Sequence, residues 1–428
     1  RPESARIMGR GTWFGVSFVA ANVLLPYNCI LLAQAYFDRH AFPGLEFSFT
    51  SMICYSGPLS VAQAVLTVVG SRYAISGRMW LANVANVTLC GVLVVITLLT
   101  RAVDAAGATY AVCLLAVFVM ATACALMQTA IMGLAGTMGP AYSAAAMFGF
   151  GICGLVAFGL SLLLELFFSG MEEETKGMMQ AMALFAFCTV YAVASTWVYH
   201  VSLSRRAPEV MAALVTLEEQ RSRAPAARDL QLDGDEGAST AALDDGRSCE
   251  TSAKPWHGAT SVLRAIAPQA LNVWLVFVLT MSIFPGVMVA WKPQSGSIFA
   301  SNPDLLTQLL TGTFQIFDVV GRYLAEVVAH RVPPRRLWVL VVLRLLFVPA
   351  FMLGQRAPGA SALWGSDWGR LLLVAFMAFS NGFVASCAMM FGPGLCGSGS
   401  REVAGIAMSF CMVTGIFCGT LLAFLTQL

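Results

Sequence analysis

The segment QIFDVVGRYLA, Gln315 to Ala325, places Asp318 and Arg322 four residues apart inside an otherwise apolar, helix-compatible run. At that spacing two side chains leave the same face of a helix and can pair. Counted from Pro303 at ~1.5 Å per residue, Asp318 lies about 22 Å along its helix, close to mid-depth in a bilayer. A charge at that depth costs roughly 2.5 to 3.5 kcal/mol, so hydrocarbon is the wrong neighbour for either residue. Two chemistries fit. One is a static salt bridge that pins the helix to its neighbours. The other is a pair lining a solute pathway, which contacts a polar ligand or changes partners during gating, and charges within spans usually line pathways. Glu326, one turn further on, and Glu165 fall near the edges of their runs. Seven amides, Asn28, Gln63, Asn83, Asn86, Gln128, Gln315 and Asn381, also lie in apolar runs. An amide both donates and accepts hydrogen bonds, which suits a polar ligand, and it serves equally as glue between helices. Asn83 and Asn86 are read as glue.

The elements that must position these groups follow from composition. Of 428 residues, 58% are hydrophobic and 11% charged, and the mean hydropathy is +0.75. Such a chain cannot cover itself with polar surface, so it is expected to be an all-α integral membrane protein. Runs such as VLVVITLL, Val92 to Leu99, are continuous rather than alternating, which excludes an outer-membrane barrel. Hydropathy predicts eleven transmembrane helices. They cover Thr12 to Phe37, Phe47 to Gly70, Met79 to Thr100, Ala108 to Leu134, Tyr142 to Phe168, Met178 to Leu203, Ala267 to Trp291, Pro303 to His330, Leu337 to Gly354, Trp368 to Phe391 and Glu402 to Leu425. The first run is too long for a signal-peptide core and is read as a permanent span.

Residues 204–262 form the one long polar stretch, with RDLQLDGDEGAST and ALDDGRSCETSAKP. It is expected to be a largely disordered linker, opening with a short amphipathic helix over PEVMAALVTLEEQR. The chain thus divides into a six-helix bundle over 1–203, the linker, and a five-helix bundle over 263–428. Lys and Arg concentrate on the face that carries the N-terminus and linker. Even without the linker, Arg1, Arg6, Arg10, Arg72, Arg78, Arg331, Arg335, Arg336 and Arg401 outnumber Arg39, Arg101, Lys176, Lys292 and Arg356 opposite. The positive-inside rule puts the N-terminus in the cytoplasm and the C-terminus outside. Arg322, Arg344 and Arg370 remain within spans or at their edges. Prolines inside apolar runs, Pro26, Pro58, Pro285 and Pro349, mark either the broken helices that surround transporter binding sites or static kinks.

Enzyme chemistry finds no foothold. The four histidines fall in loops or at helix ends, and HExxH, CxxC, GxSxG and Walker A sequences are absent. GFGICG, Gly149 to Gly154, matches G-x-G-x-x-G, but no strand precedes it, and the glycines suit close helix packing better. No cofactor and no metal are expected. A net charge of +2 gives no reason to expect a nucleic-acid partner. Most of the twelve cysteines lie in apolar runs, where they behave as small hydrophobes, so no disulfide framework is expected.

Taken together, the motifs resemble the equilibrative nucleoside transporter family. LLPYN with the trailing QAYF, Leu24 to Phe37, is similar to its first span; MQTAIMGLAG, Met127 to Gly136, to its fourth; and FGFGICGL to its Gly-rich fifth. IFPG, FDVVGR, RLLFVP and FSNGFVASCAMMFGP, Phe379 to Pro393, resemble its seventh to tenth spans in order. The resemblance implies a major-facilitator-like arrangement of six and five helices around a central cavity, moving nucleosides, and in some members nucleobases, by alternating access. By motif, Asp318 and Arg322 contact the ribose or belong to the gating network, Gln128 bonds the base, and Leu24 and Leu31 pack against it. Tyr27, Asn28 and Asn381 are further candidates for substrate contact, Tyr27 standing where many members carry Trp. The loop Asp38 to Glu46 is short and has no glycosylation sequon. A plasma-membrane monomer is expected. Proton coupling stays open, with Asp318, Glu165 and Glu326 as the candidate carriers. The competing reading is a major facilitator carrier of sugars or drugs. GSRYAISGR, Gly70 to Arg78, keeps the glycines and arginines of that superfamily's loop signature but lacks its acidic residue.

Overall fold

The computed structural model describes residues 3–100, 106–235, 255–284, 288, 291, 293–294, 296–301, 303–356 and 366–425. Every regular element among the described residues is helical. That is the expected outcome for apolar runs in lipid, where each backbone N–H and C=O must find its partner within its own segment. The first six spans are α1 (Glu3–Tyr36), α2 (Phe47–Val69), α3 (Ile75–Leu99), α4 (Ala106–Met138), α5 (Pro140–Phe167) and α6 (Glu173–Trp197). Single π-helical stretches, Phe37–Ala41 and Val198–Leu203, end α1 and α6. The polar connector contributes α7 (Pro208–Asp235), and the second half comprises α8 (Pro255–Ile283), α9 (Pro303–Val328), α10 (Leu337–Leu343), α11 (Phe347–Arg356), α12 (Asp367–Gly394) and α13 (Arg401–Leu425).

Among the described residues ten helical stretches are long and apolar enough to cross a membrane. Helix α9, the eleventh span expected from the sequence, is not one of them, because charges interrupt its apolar run. Its sequence resolves that conflict by sorting the faces. Ile316, Phe317, Val320, Tyr323 and Val327 are exposed, whereas Asp318, Val319, Arg322 and Ala325 are buried. Apolar side chains therefore meet lipid while the charges meet protein.

The prolines divide. Helices α1 and α2 run through Pro26 and Pro58 without interruption. The ninth span does break, and a 3₁₀ turn over Arg344–Leu346 separates α10 from α11. Pro349 lacks the N–H that would bond to Leu345 and its ring crowds that carbonyl, so the helix fails one turn before the proline. Pro285 and most of the later linker, residues 236–254, lie outside the described residues.

In the first half α1 packs on α5 and α6, α3 on α4 and α6, and α2 on α4. In the second, α9 packs on α12, and α8 on α12 and α13. The halves meet along two seams, α13 against α4 and α2, and α5 against α9 and α12. The α9–α12 crossing is the tightest point near the charges. A methyl group at Gly382 would overlap the carbonyl oxygen of Asp318, and one at Gly321 would overlap that of Phe379. Helix α7 extends well past the amphipathic opening expected for the linker, and it is docked. Val210, Ala213 and Leu217 form its buried stripe, and Thr12 of α1 donates to Glu209 at 3.3 Å. The N-terminal end of α1 and the linker therefore share one face of the molecule.

Candidate functional site: a buried ionic relay between two helical halves

Asp318 and Arg322 are 4% and 6% exposed, and the Arg322 Nε–Asp318 Oδ2 distance is 2.6 Å. Burial this deep demands that each remaining valence be used. Asn381 of α12 donates its Nδ2 to Asp318 Oδ1 at 2.7 Å. Arg322 Nη1 reaches across the seam and donates to the carbonyl oxygen of Met147 on α5 at 3.0 Å. Its stem lies across Gly151, where a Cβ would collide with it. Among the described residues Arg322 Nη2 makes no hydrogen bond, so the pair keeps a free donor beside a carboxylate with unused lone pairs.

The chain of bonds continues beyond Asn381. Thr280 of α8 donates to Asn381 Oδ1 at 2.7 Å, and Arg344 Nη2 donates to the Thr280 hydroxyl at 2.6 Å. Arg344 is 2% exposed and also donates through Nη1 to the Met377 carbonyl at 3.0 Å and to the Ser380 hydroxyl. Each letter of the SNG segment thus has a task. Ser380 takes Arg344, Asn381 joins Thr280 to Asp318, and Gly382 lets α12 approach the Asp318 backbone. The sequence alone assigns Arg344 no role, and it carries no signal for Thr280 or Ser380.

The first half supplies a second group of expected contacts. Tyr27 of α1 stacks on Tyr55 of α2 with ring centroids 3.7 Å apart. Asn28 donates to the Leu24 carbonyl at 2.9 Å and approaches Cys153 Sγ at 3.5 Å. Cys153 is flanked on α5 by Gly151 and Gly154, the glycines on which Arg322 and Gln315 of α9 rest. Gln128 is buried on α4, its Oε1 near the Cys124 thiol and its Nε2 without a protein partner. Tyr55 likewise keeps an unpartnered hydroxyl. Leu24 is partly buried against the core, whereas Leu31, two turns along the same stripe, is 39% exposed and stands apart. Of the amides read as glue, Asn83 accepts from Asn22 at 2.9 Å and joins α3 to α1. Asn86 differs, being buried with neither amide atom bonded to protein.

On the linker face the halves are fastened. Glu402 of α13 accepts from Arg78 of α3 and from Arg221 of α7, both at 2.8 Å. Arg221 Nε also donates to the Ser71 carbonyl at 2.9 Å. Toward the opposite face a cavity of about 460 Å³ opens between the halves, lined by Tyr36, Arg39 and Glu165 from the first and by Thr307 and Gln308 from the second. Glu165 is tied there to Lys176 and accepts from Gln180 at 2.6 Å. Among the described residues no group of His, Cys, Asp and Glu could hold a metal ion.

Two helical groups meeting at a polar seam, closed on one face and hollowed toward the other, are the plan of major facilitator transporters, and solved structures agree. A bacterial homologue of the iron transporter ferroportin in its outward-facing state superposes with a TM-score of 0.58 at 11% identity, covering 97% of this chain and 93% of that one. The proton:xylose symporter XylE gives 0.56 at 12% identity, covering 98% and 89%. At these identities the likeness is one of fold. The family follows from sequence: the nucleoside transporter family profile matches residues 114–428. The chain belongs to that family. It is 28% identical to equilibrative nucleoside transporter 2 of Mus musculus over 96% of both chains. It is 31% identical to equilibrative nucleoside transporter 1 of Homo sapiens over 40% of this chain and 38% of that one. Nucleoside transporter 1.2 of Leishmania donovani is 30% identical over 39% and 33%.

Proposed function

We propose that this protein carries nucleosides across a membrane by alternating access, the helices of 1–203 rocking against those of 263–428. The observation that carries this reading is the Asp318–Arg322 pair. It is held by Asn381 within the second half and fastened to the first by one hydrogen bond to the Met147 carbonyl. A ribose offers adjacent hydroxyls. One can donate to an open lone pair of Asp318 while its neighbour accepts from Arg322 Nη2, so the pair reads a diol. Parting the halves at Met147 uncovers the pair, and closing over substrate buries it again. Gln128 is suited to a base edge, because its unpartnered Nε2 is an unsatisfied donor in a buried setting. The Tyr27–Tyr55 stack, Leu24, Asn28 and Leu31 supply the apolar wall a flat ring needs.

The charge bias of the loops supports a cytoplasmic linker face, so the fastened seam at Glu402 is the inner gate and the cavity at Glu165 opens outside. The plasma membrane is the proposed location, and a single chain contains both halves of the pathway.

The test is uptake into liposomes by the purified protein, using labelled adenosine, inosine, hypoxanthine and glucose with and without a pH gradient. Saturable nucleoside uptake is expected, lost in Asp318→Ala and Arg322→Ala at equal reconstitution. Preference for glucose, or normal uptake in both variants, overturns the reading. Stimulation by an inward proton gradient would add protons as co-substrate.

A further inference from the structure

We propose that Arg344 is a positioning residue for Asp318, acting through Thr280 and Asn381 to hold the Asn381 amide in place against the carboxylate. The inference deepens the reading of Asp318 as the ribose site and rests on it.

Hydrogen-bond direction ties these groups together. A guanidinium only donates, so the 2.6 Å bond from Arg344 Nη2 makes the Thr280 oxygen an acceptor. With that lone pair taken, the single Thr280 proton has two acceptors in reach, Asn381 Oδ1 at 2.7 Å and the Val276 carbonyl at 2.8 Å. The Asp318 carboxylate only accepts, so it calls for the Asn381 NH₂, and the amide oxygen this leaves facing Thr280 takes the proton. An amide whose oxygen accepts from Thr280 must turn its NH₂ toward Asp318 Oδ1, at 2.7 Å. Every bond from Arg344 to Asp318 therefore points the same way. Reversing the Asn381 amide would set its carbonyl oxygen against the carboxylate and its NH₂ against Thr280.

The setting gives Arg344 hydroxyl and carbonyl partners in place of a charged one. Arg344 sits in the 3₁₀ break of the ninth span, 2% exposed, and no carboxylate among the described residues lies within salt-bridge distance. A buried guanidinium that merely pinned helices would be replaceable by apolar packing. Here the donor lies in the 3₁₀ turn that Pro349 imposes, with Nη2 on Thr280. The effect at Asp318 is geometric. With Asn381 locked on Oδ1 and Arg322 on Oδ2, the open lone pairs are held at a fixed angle toward the incoming diol.

The experiment compares transport of adenosine with that of 2′,3′-dideoxyadenosine, which lacks the diol, in reconstituted Thr280→Val, Thr280→Ser, Arg344→Lys and Asp318→Asn. Thr280→Val is isosteric and removes only the hydroxyl, so it keeps the test independent of any folding defect in the Arg344 variant. Thr280→Val and Arg344→Lys are expected to raise KM for adenosine by about five- to tenfold with little change in maximal rate, the size of one lost hydrogen bond. KM for the dideoxy analogue should be unmoved, and Thr280→Ser should restore the wild-type ratio. An unchanged ratio in Thr280→Val and Arg344→Lys, with the ratio collapsed in Asp318→Asn, overturns the relay while leaving the ribose site standing. A ratio unchanged in Asp318→Asn as well overturns the ribose reading itself.

Discussion

The two seams between the halves are built differently. At the linker-face seam, α13 and α4 touch backbone to backbone. A methyl at Gly405 would overlap the Met132 carbonyl, and one at Gly136 would fall 2.9 Å from the Arg401 carbonyl oxygen. A single carboxylate, Glu402, then gathers arginines from α3 and α7. At the mid-depth seam, contact is carried by side chains laid over glycines, Arg322 on Gly151 and Gln315 on Gly154, with one hydrogen bond to Met147. The first arrangement suits a seal and the second suits the proposed binding locus. A gate needs a large interface released all at once, whereas a binding locus needs a few directed bonds that a ligand can replace.

Replacing Arg322 with Lys should produce the largest effect. An ammonium keeps the charge but cannot bond Asp318 and Met147 together through a planar fork. Nucleoside uptake should fall by at least about tenfold, the scale of a disrupted buried pair, with protein amounts in the membrane unchanged. Gly405→Val comes next, since a branched side chain at that backbone crossing holds the linker-face seam open. Hydrogen exchange in the facing turns of α4 and α13 should rise and uptake should drop by roughly fivefold, an overpacking cost of about 1 to 3 kcal/mol falling on the closed state. Glu402→Gln leaves Arg78 buried without its carboxylate, and uptake should fall about three- to fivefold with the same exchange signature. Arg221→Ala should have the mildest effect, about twofold, because this partner is more exposed and its attraction is screened. An Arg221 effect larger than that of Glu402→Gln would invert the assignment of the seal to α3 and α13.

Much of this was legible. Charges in an apolar run announce themselves, so Asp318 and Arg322 stood out, and the amide Asn381 did so by the same logic. Arg344 carried the same signal, an Arg inside VLVVLRLLFVP. An apolar run read as one unbroken helix suggests neither a 3₁₀ turn at that residue nor a hydroxyl partner on another span. Thr280 gave no signal, since threonine in a span ordinarily bonds back to its own helix, as this one can to Val276 at 2.8 Å. The Arg78–Glu402 pairing joins residues 324 positions apart, and no local pattern encodes such a distance. Helix α7 was visible as an amphipathic opening, but its docking depends on surfaces contributed by other elements.

The Gly321–Gly382 crossing has a mechanical corollary. Two backbones pressed so closely cannot slide past one another, so Asp318, Arg322 and Asn381 ride as rigid cargo when the halves swing. The site proposed to read a diol thus keeps one shape whichever face is open, and a solute arriving from either side meets the same contacts.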